Sequence, residues 1–158
     1  MAAPRGGAGP MRVQERAHAD LVLALEPVAR VSPLRHGGEG GSDTDVTKGR
    51  KTLAVEIKGS EATGLFPTFT AHGHHLNGRQ ATLWSQCRAS GADVLLLSWK
   101  RPNGRRWWAV VCCARVARPI ADALKRQHLE GRPHKIAALG GWIKTASALR
   151  ARFSALLR

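Results

Sequence analysis

Four side chains in the segment SDTDVTKGRKTLAVEIKGS have the types and spacing that phosphodiester hydrolysis requires. Asp43 and Asp45 precede the turn residues KGRK, and Glu56 and Lys58 follow them on one face of a predicted strand. An aspartate and Glu56 could hold Mg²⁺, while Lys58 orients the attacking water or stabilises the transition state. The alternative is that Glu56 and Lys58 form an ordinary solvated pair, which contributes little to stability.

The charge of the chain favours a nucleic-acid partner. Lys and Arg number 25 against 11 Asp and Glu, which gives a net charge of +14 spread along the whole chain. The apolar runs are shorter than the roughly 20 residues of a membrane span, and MAAPRGGAGP lacks the apolar middle of a secretory signal. We therefore expect a cytoplasmic protein with no membrane partner. Because the cysteines are only three and two are adjacent, neither a disulfide framework nor a zinc site is expected.

The elements that must position these side chains can be predicted in chain order. Hydrophobic periodicity and turn residues indicate a helix, two strands, a helix, two strands and then further helices. The helices are predicted over about 13–30, 77–89, 120–129 and 144–157, the first hairpin over 43–60, and the last two strands over 93–100 and 106–113. Pro27 would kink or end the first helix early. The segment 59–76 lacks periodicity and is predicted to be a long ordered loop.

The segment 42–60 resembles the motif of the PD-(D/E)XK nucleases. Ser42-Asp43 or Thr44-Asp45 stands in the place of Pro-Asp, and Glu56-Ile57-Lys58 forms the second half. The resemblance implies an α/β fold with a restriction-endonuclease-like αβββαβ core and a mixed central sheet flanked by helices, to which the hydrophobic pattern adds extra C-terminal helices. It places a nuclease core over 12–118, whereas the composition predicts a flexible leader over 1–11 and the Ala and Leu pattern predicts a C-terminal helical extension over 119–158 packed on the same domain.

Three further features are similar to archaeal-type and phage-type Holliday junction resolvases: the helix start QERAHADL, the Gly-rich loop before the aspartate and the strand SWKRPNGRRWWAVV. This likeness implies a Mg²⁺-dependent endodeoxyribonuclease, with Mn²⁺ as a substitute, that acts as a homodimer on four-way DNA junctions. It would serve DNA recombination and repair in a bacterial or phage-infected cell. Two alternatives stay open: a related nuclease for other DNA structures in phage replication or repair, and a non-catalytic basic DNA-binding protein.

The resemblance also suggests further site residues. Glu15 would match an acidic residue on the first helix, and Gln80 would match a polar residue on the helix after the motif, although Gln80 could equally cap a backbone group. Asp45 is slightly preferred over Asp43 as the metal ligand, because the extended pair Val46-Thr47 follows it directly. One aspartate would bind the metal while the other positions water.

Basic residues near the predicted turns and loops are candidates for phosphate contacts, although they could equally be solubilising turn residues. The histidines of HGHH are expected to contact substrate or to be ordinary loop residues rather than zinc ligands. Of Trp107 and Trp108, one ring should lie in the core, and the other should pack or stack on a base. The nucleic-acid-binding candidates are Arg35, Lys48, Arg50, Lys51, His74, Arg79, Lys100, Arg101 and Arg105.

Overall fold

A computed structural model describes residues 5–35, 42–61, 70–71, 74–75, 90–113 and 141–158, with side chains from residue 12 onward except at 70–71 and 74–75. Helix α1 spans Arg5–Leu25 and helix α2 spans Ala146–Leu156. The strands are β1 (Arg30–Val31), β2 (Thr44–Lys48), β3 (Lys51–Ser60), β4 (Thr70–Ala71), β5 (His74–His75), β6 (Val94–Lys100) and β7 (Arg106–Cys112).

Five of these strands form one mixed sheet in the order β1-β2-β3-β6-β7. Strands β1, β2 and β3 are successively antiparallel, β6 is parallel to β3, and β7 is antiparallel to β6. The short strands β4 and β5 pair separately. The expectation of an α/β fold with a mixed central sheet is therefore confirmed. Within the described residues, no helix has the length and apolar character that crossing a membrane requires.

The main hydrophobic core lies between one face of this sheet and the two helices. Leu21 and Leu25 of α1 and Leu149 and Phe153 of α2 are fully buried in it, together with the inward residues of β2, β3, β6 and β7. Ile143, just before α2, also exchanges two backbone hydrogen bonds with β7. The segment 141–158 thus packs on the same core as α1, which explains its apolar spacing.

The opposite face of the sheet carries Glu56 and Lys58, and the side chains beside them on the neighbouring strands are also buried. Leu95 and Leu97 of β6 lie beside these two residues in register, and both are almost completely inaccessible to solvent. Val111 of β7, which pairs with Leu95, is buried as well. Glu56 therefore stands on an apolar face, where ionising a carboxyl is unfavourable.

Two predicted boundaries near the N-terminus were wrong. Helix α1 begins at Arg5, so residues 5–11 belong to the helix and not to the predicted leader; no described contact explains this extension. The helix ends at Leu25, before Pro27, and Arg30–Val31 forms the edge strand β1 instead of the last helical turn. Proline removes a backbone donor and clashes with the preceding turn, which accounts for the early end.

Both predicted hairpins are present. Gly49, with φ of 62°, begins the β2–β3 turn, and Gly104, with φ of 85°, lies in the β6–β7 turn; such values of φ favour glycine. The predicted helix over 144–157 corresponds to α2, whereas those over 77–89 and 120–129 lie outside the described residues. Cys112 is a free thiol, but Cys113 is disulfide-bonded, which the cysteine pattern did not predict.

Candidate active site

The register of the β2–β3 hairpin decides which aspartate faces Glu56. The turn pairs Lys48 with Lys51, and the ladder continues until Thr44 pairs with Val55. One residue further, the Asp43 N–H donates to the Val55 carbonyl at 2.9 Å, and the Asp43 side chain forms a hydrogen bond with Glu56, so Asp43 lies beside Glu56. Side chains on neighbouring strands that face each other in this way are in direct contact range.

The Asp43 carboxylate is fixed by the backbone of β3. Strand β2 begins at Thr44, so β3 extends beyond the end of its antiparallel partner. Asp43 Oδ2 accepts a hydrogen bond of 2.7 Å from the Ile57 N–H. The carboxylate therefore satisfies a backbone donor beyond the last paired residue of β2, and its position next to Glu56 is well defined.

Glu56 and Lys58 lie side by side and are both largely buried. Their side chains are 13% and 17% exposed, and Lys58 Nζ lies 3.4 Å from Glu56 Oε2. The second oxygen, Oε1, is buried and has no hydrogen-bond partner. A buried carboxylate oxygen without a donor is unfavourable, because its interaction with water has been lost and not replaced.

The environment raises the pKa of Glu56 to about 7. Burial is the largest cause, followed by the hydrogen bond with Asp43 and then by the negative charge of that aspartate, while Lys58 acts in the opposite direction. Near neutral pH the Glu56 carboxyl therefore carries a proton for part of the time. A cation between them would displace this proton, so cation binding and proton release should be linked.

The donor set fits a small divalent cation. Mg²⁺ is commonly held by one or two carboxylates and completes its octahedral shell with water and substrate oxygens. Asp43 and Glu56 supply the carboxylates, and the partnerless Oε1 is an available ligand atom. Within the described parts of the chain, no cluster of three or more His, Cys, Asp and Glu residues is suited to a metal ion. The remaining positions would fall to water and phosphate oxygens.

Asp45, the aspartate preferred from the sequence, lies in a different setting. It pairs with Ala54, two positions along the ladder from Glu56. Its two carboxylate oxygens accept hydrogen bonds of 3.0 and 3.2 Å from Arg35, and the pair is partly exposed. Arg35 also donates to the Ser42 carbonyl and hydroxyl oxygens. The structure thus brings Asp43 to Glu56 and gives Asp45 an arginine partner.

Of the two other predicted site residues, only Glu15 lies within the described residues. Glu15 is exposed on α1 and makes no contact with Asp43 or Glu56 among the described interactions, and Gln80 lies outside the described residues. The neighbouring Gln14 was missed: its Nε2 donates to the Ile57 carbonyl at 3.3 Å. A signal was present, because Gln14 precedes Ala17 by three residues and therefore lies on the apolar stripe of α1.

A charged network holds the end of β3 against α1. Arg106 is 6% exposed and donates to Asp20 at 2.6 Å and to the Ser98 hydroxyl at 2.8 Å. It also lies 3.6 Å from Glu61, to which Arg16 donates two hydrogen bonds of 2.7 and 2.6 Å. These bonds from Arg16 are the main cause of the lowered pKa of Glu61. The network links α1, β3, β6 and β7 through side chains distant in sequence.

The predicted phosphate contacts lie in different settings. Lys48, Arg50 and Lys51 are exposed around the β2–β3 turn, and Arg105 is exposed in the β6–β7 turn. None of these four forms an ion pair within the described part of the chain. Their charges are therefore available to a polyanion.

The remaining basic candidates are partly engaged or not described. Lys100 is half-buried and contributes a positive charge that lowers the pKa of Glu61. Arg101 is half-buried and lies over two tryptophan rings. Arg79 lies outside the described residues, as does the side chain of His74, whose backbone is part of β5.

Comparison of the chain with protein-family models, curated proteins and solved structures gave no match.

Proposed function

We propose that this protein is a Mg²⁺-dependent endodeoxyribonuclease whose active site contains Asp43, Glu56 and Lys58. The observation that carries the proposal is the pair of facing carboxyl groups, one with a buried and partnerless oxygen, beside a lysine on the same strand face. Two carboxylates and an amine on a desolvated face are the groups that metal-assisted phosphodiester hydrolysis requires.

Each residue has a distinct role in this proposal. Asp43 and Glu56 would hold the cation through carboxylate oxygens, while the Ile57 N–H keeps Asp43 in place. A bound Mg²⁺ would neutralise phosphate charge and lower the pKa of a water molecule. Lys58 would orient the attacking water or donate a hydrogen bond to the oxygen on which charge develops.

The order of the elements supports a PD-(D/E)XK type of nuclease core. A helix is followed by three successively antiparallel strands, and the next strand of the sheet, β6, lies parallel to β3. These elements support the αβββαβ order that the sequence resemblance implies, whose second helix would fall outside the described residues. The proposed motif residues lie at the end of the β2–β3 hairpin and along β3, as that resemblance requires.

Branched DNA, such as a four-way junction, is the proposed substrate. The net charge of +14 and the exposed basic residues of the β2–β3 turn favour a polyanion. The preference for a junction and the homodimeric state follow from the likeness to Holliday junction resolvases, because symmetric cutting of a two-fold junction needs two active sites.

The decisive test compares matched variants at the two aspartates. Asp43→Asn should lower Mg²⁺-dependent cleavage of a synthetic four-way junction by about 100-fold or more, a typical loss for a group that acts on the transition state. Asp45→Asn makes the same change in charge two residues away and should keep cleavage within a few-fold of wild type. Equal losses in both variants would contradict the assignment of Asp43.

A second pair of variants separates catalysis from binding. Lys58→Met should abolish cleavage while junction affinity, measured in EDTA, changes by no more than about threefold. Lys51→Met removes an exposed lysine from the same strand and should weaken binding slightly but retain cleavage. If wild type cuts neither branched nor linear DNA with Mg²⁺ or Mn²⁺, the protein is a non-catalytic binder. Equal cutting of junction and linear duplex would reject the junction preference alone.

A further inference from the structure

A cluster of aromatic rings and cations lies at the far end of β6 and β7. Trp99 and Trp107 pair across these strands with ring centroids 5.6 Å apart and nearly perpendicular rings. Trp142 lies 5.7 Å from the first ring and 6.4 Å from the second. Trp99 is only 4% exposed, whereas Trp107 and Trp142 are half-buried. Two rings therefore reach the surface and one supports them from below.

Two cations contact the rings without an acidic partner. The Arg101 guanidinium lies 3.9 Å from the Trp107 centroid, and Lys144 Nζ lies 4.5 Å from the same centroid. Neither cation forms an ion pair within the described part of the chain. Arg101 Nε and Trp99 Nε1 are also buried without hydrogen-bond partners. Stacking leaves the edge of the guanidinium available for an anion. We call Arg101, Trp107, Trp142 and Lys144 the tryptophan patch.

The start of α2 adds to the positive potential beside the patch. Lys144 directly precedes the N-cap residue Thr145, and the first turn of the helix contains no acidic residue. Free N–H groups at a helix N-terminus favour anions. Partly exposed aromatic rings next to cations without acidic partners are the combination that binds a base and its phosphate at once.

We propose that the tryptophan patch binds an unpaired nucleotide of DNA, with its base against the tryptophan rings and its phosphate at Arg101 and Lys144. Single strands expose base faces for stacking, whereas the bases of a duplex are stacked on one another. The charge of the chain and the surplus of cations in the patch complement a phosphate backbone.

The location of the patch connects it with the proposed active site. Trp99 pairs with Ser60 in β3 and lies on the same sheet face as Glu56. Ser60 follows Glu56 by four residues in β3, which corresponds to about 13 Å along the strand. A DNA strand bound at both the tryptophan patch and the proposed active site would carry its unpaired nucleotide at about this distance from the phosphate to be cut. This last step rests on the proposed function, but binding at the patch does not.

The test measures binding of a labelled oligothymidylate of about 12 nucleotides and of a duplex of equal length, by fluorescence anisotropy in EDTA at fixed salt. Arg101→Gln should weaken oligothymidylate binding about 10-fold and duplex binding much less. Arg105→Gln removes the same charge from the same turn but contacts no ring among the described interactions, and it should weaken both by less than about threefold.

Intrinsic fluorescence supplies a second readout. The oligothymidylate should quench tryptophan emission in wild type and in Arg105→Gln, and the quenching should be reduced in Trp107→Phe, which keeps a ring in the fold. Equal weakening by Arg101→Gln and Arg105→Gln, equal weakening for single strand and duplex, or no quenching in wild type would each overturn the proposal. Glu56→Gln should bind the oligonucleotide as wild type does, so loss of the nuclease activity would leave this result intact.

Discussion

Replacing Glu56 with glutamine should stabilise the protein at alkaline pH. The pKa of Glu56 is raised from about 4.5 to about 7, mainly by burial and then by Asp43. The native state therefore holds a proton that the unfolded chain releases, so the contribution of Glu56 to stability is greatest below about pH 4.5 and is lost as pH rises through about 7. A pKa difference of about 2.5 units at about 1.4 kcal/mol each gives a loss of about 3.5 kcal/mol, and partial solvation lowers this to about 2 kcal/mol.

The glutamine variant removes this loss because its amide is neutral and can donate to Asp43 as the protonated carboxyl does. In urea unfolding with EDTA, we expect Glu56→Gln to exceed wild type by about 2 kcal/mol at pH 8 and to match it within about 1 kcal/mol at pH 5. Mg²⁺ at pH 8 should stabilise wild type but not the variant. A variant that is destabilised equally at both pH values, or a wild type whose stability rises from pH 5 to pH 8, would refute the reasoning.

Two further predictions concern how α1 is held on the sheet. Gly59→Ala should destabilise by about 1 to 3 kcal/mol, because its Cβ would lie 2.8 Å from Val13 Cγ1 and 3.2 Å from the Val13 carbonyl oxygen. Adding Val13→Ala should recover only part of the loss, and a thermal melt in which Gly59→Ala is stabilised would contradict this packing. Arg106→Met should cost about 2 kcal/mol in urea unfolding, since it leaves Asp20 without its partner, although 42% exposure of that carboxylate limits the cost. Arg16→Met, which breaks an exposed ion pair, should cost at most about 1 kcal/mol, and equal costs would argue against a buried network.

Strand alternation was sufficient to predict the shared face of Glu56 and Lys58. Side chains alternate between the two faces of a strand, so Glu56 and Lys58 must share one face once Val55 and Ile57 are assigned to the core on the other. Both Val55 and Ile57 are buried there. The Asn-Gly pair likewise predicted the β6–β7 turn, in which Asn103 Oδ1 accepts a hydrogen bond from the Arg105 N–H. These features are local, so a short stretch of sequence contains the information.

The choice between Asp43 and Asp45 depended on register, which the residue pattern alone left open. Both aspartates point to the same face, and a turn centred one residue later would have placed Asp45 opposite Glu56. The positive φ of Gly49 at the first turn position centres the turn so that Asp43 is opposite. The partner of Asp45, Arg35, lies across a Gly-rich segment whose path cannot be read from periodicity.

The backbone of Ile57 explains how distant parts of the chain reach the candidate site. Its N–H donates to Asp43, and its carbonyl accepts from Gln14, so both polar groups of the residue between Glu56 and Lys58 are held by side chains. Two residues further, Gly59 lets α1 approach β3 more closely than any side chain would permit. The direction in which Glu56 and Lys58 project is therefore set jointly by the β2–β3 register and by the position of α1. Because the strand is fixed on both sides, its backbone cannot carry Glu56 away from this apolar face when the carboxyl ionises. The same constraints that make ionised Glu56 costly in the folded protein would thus keep it in place for the proposed cation.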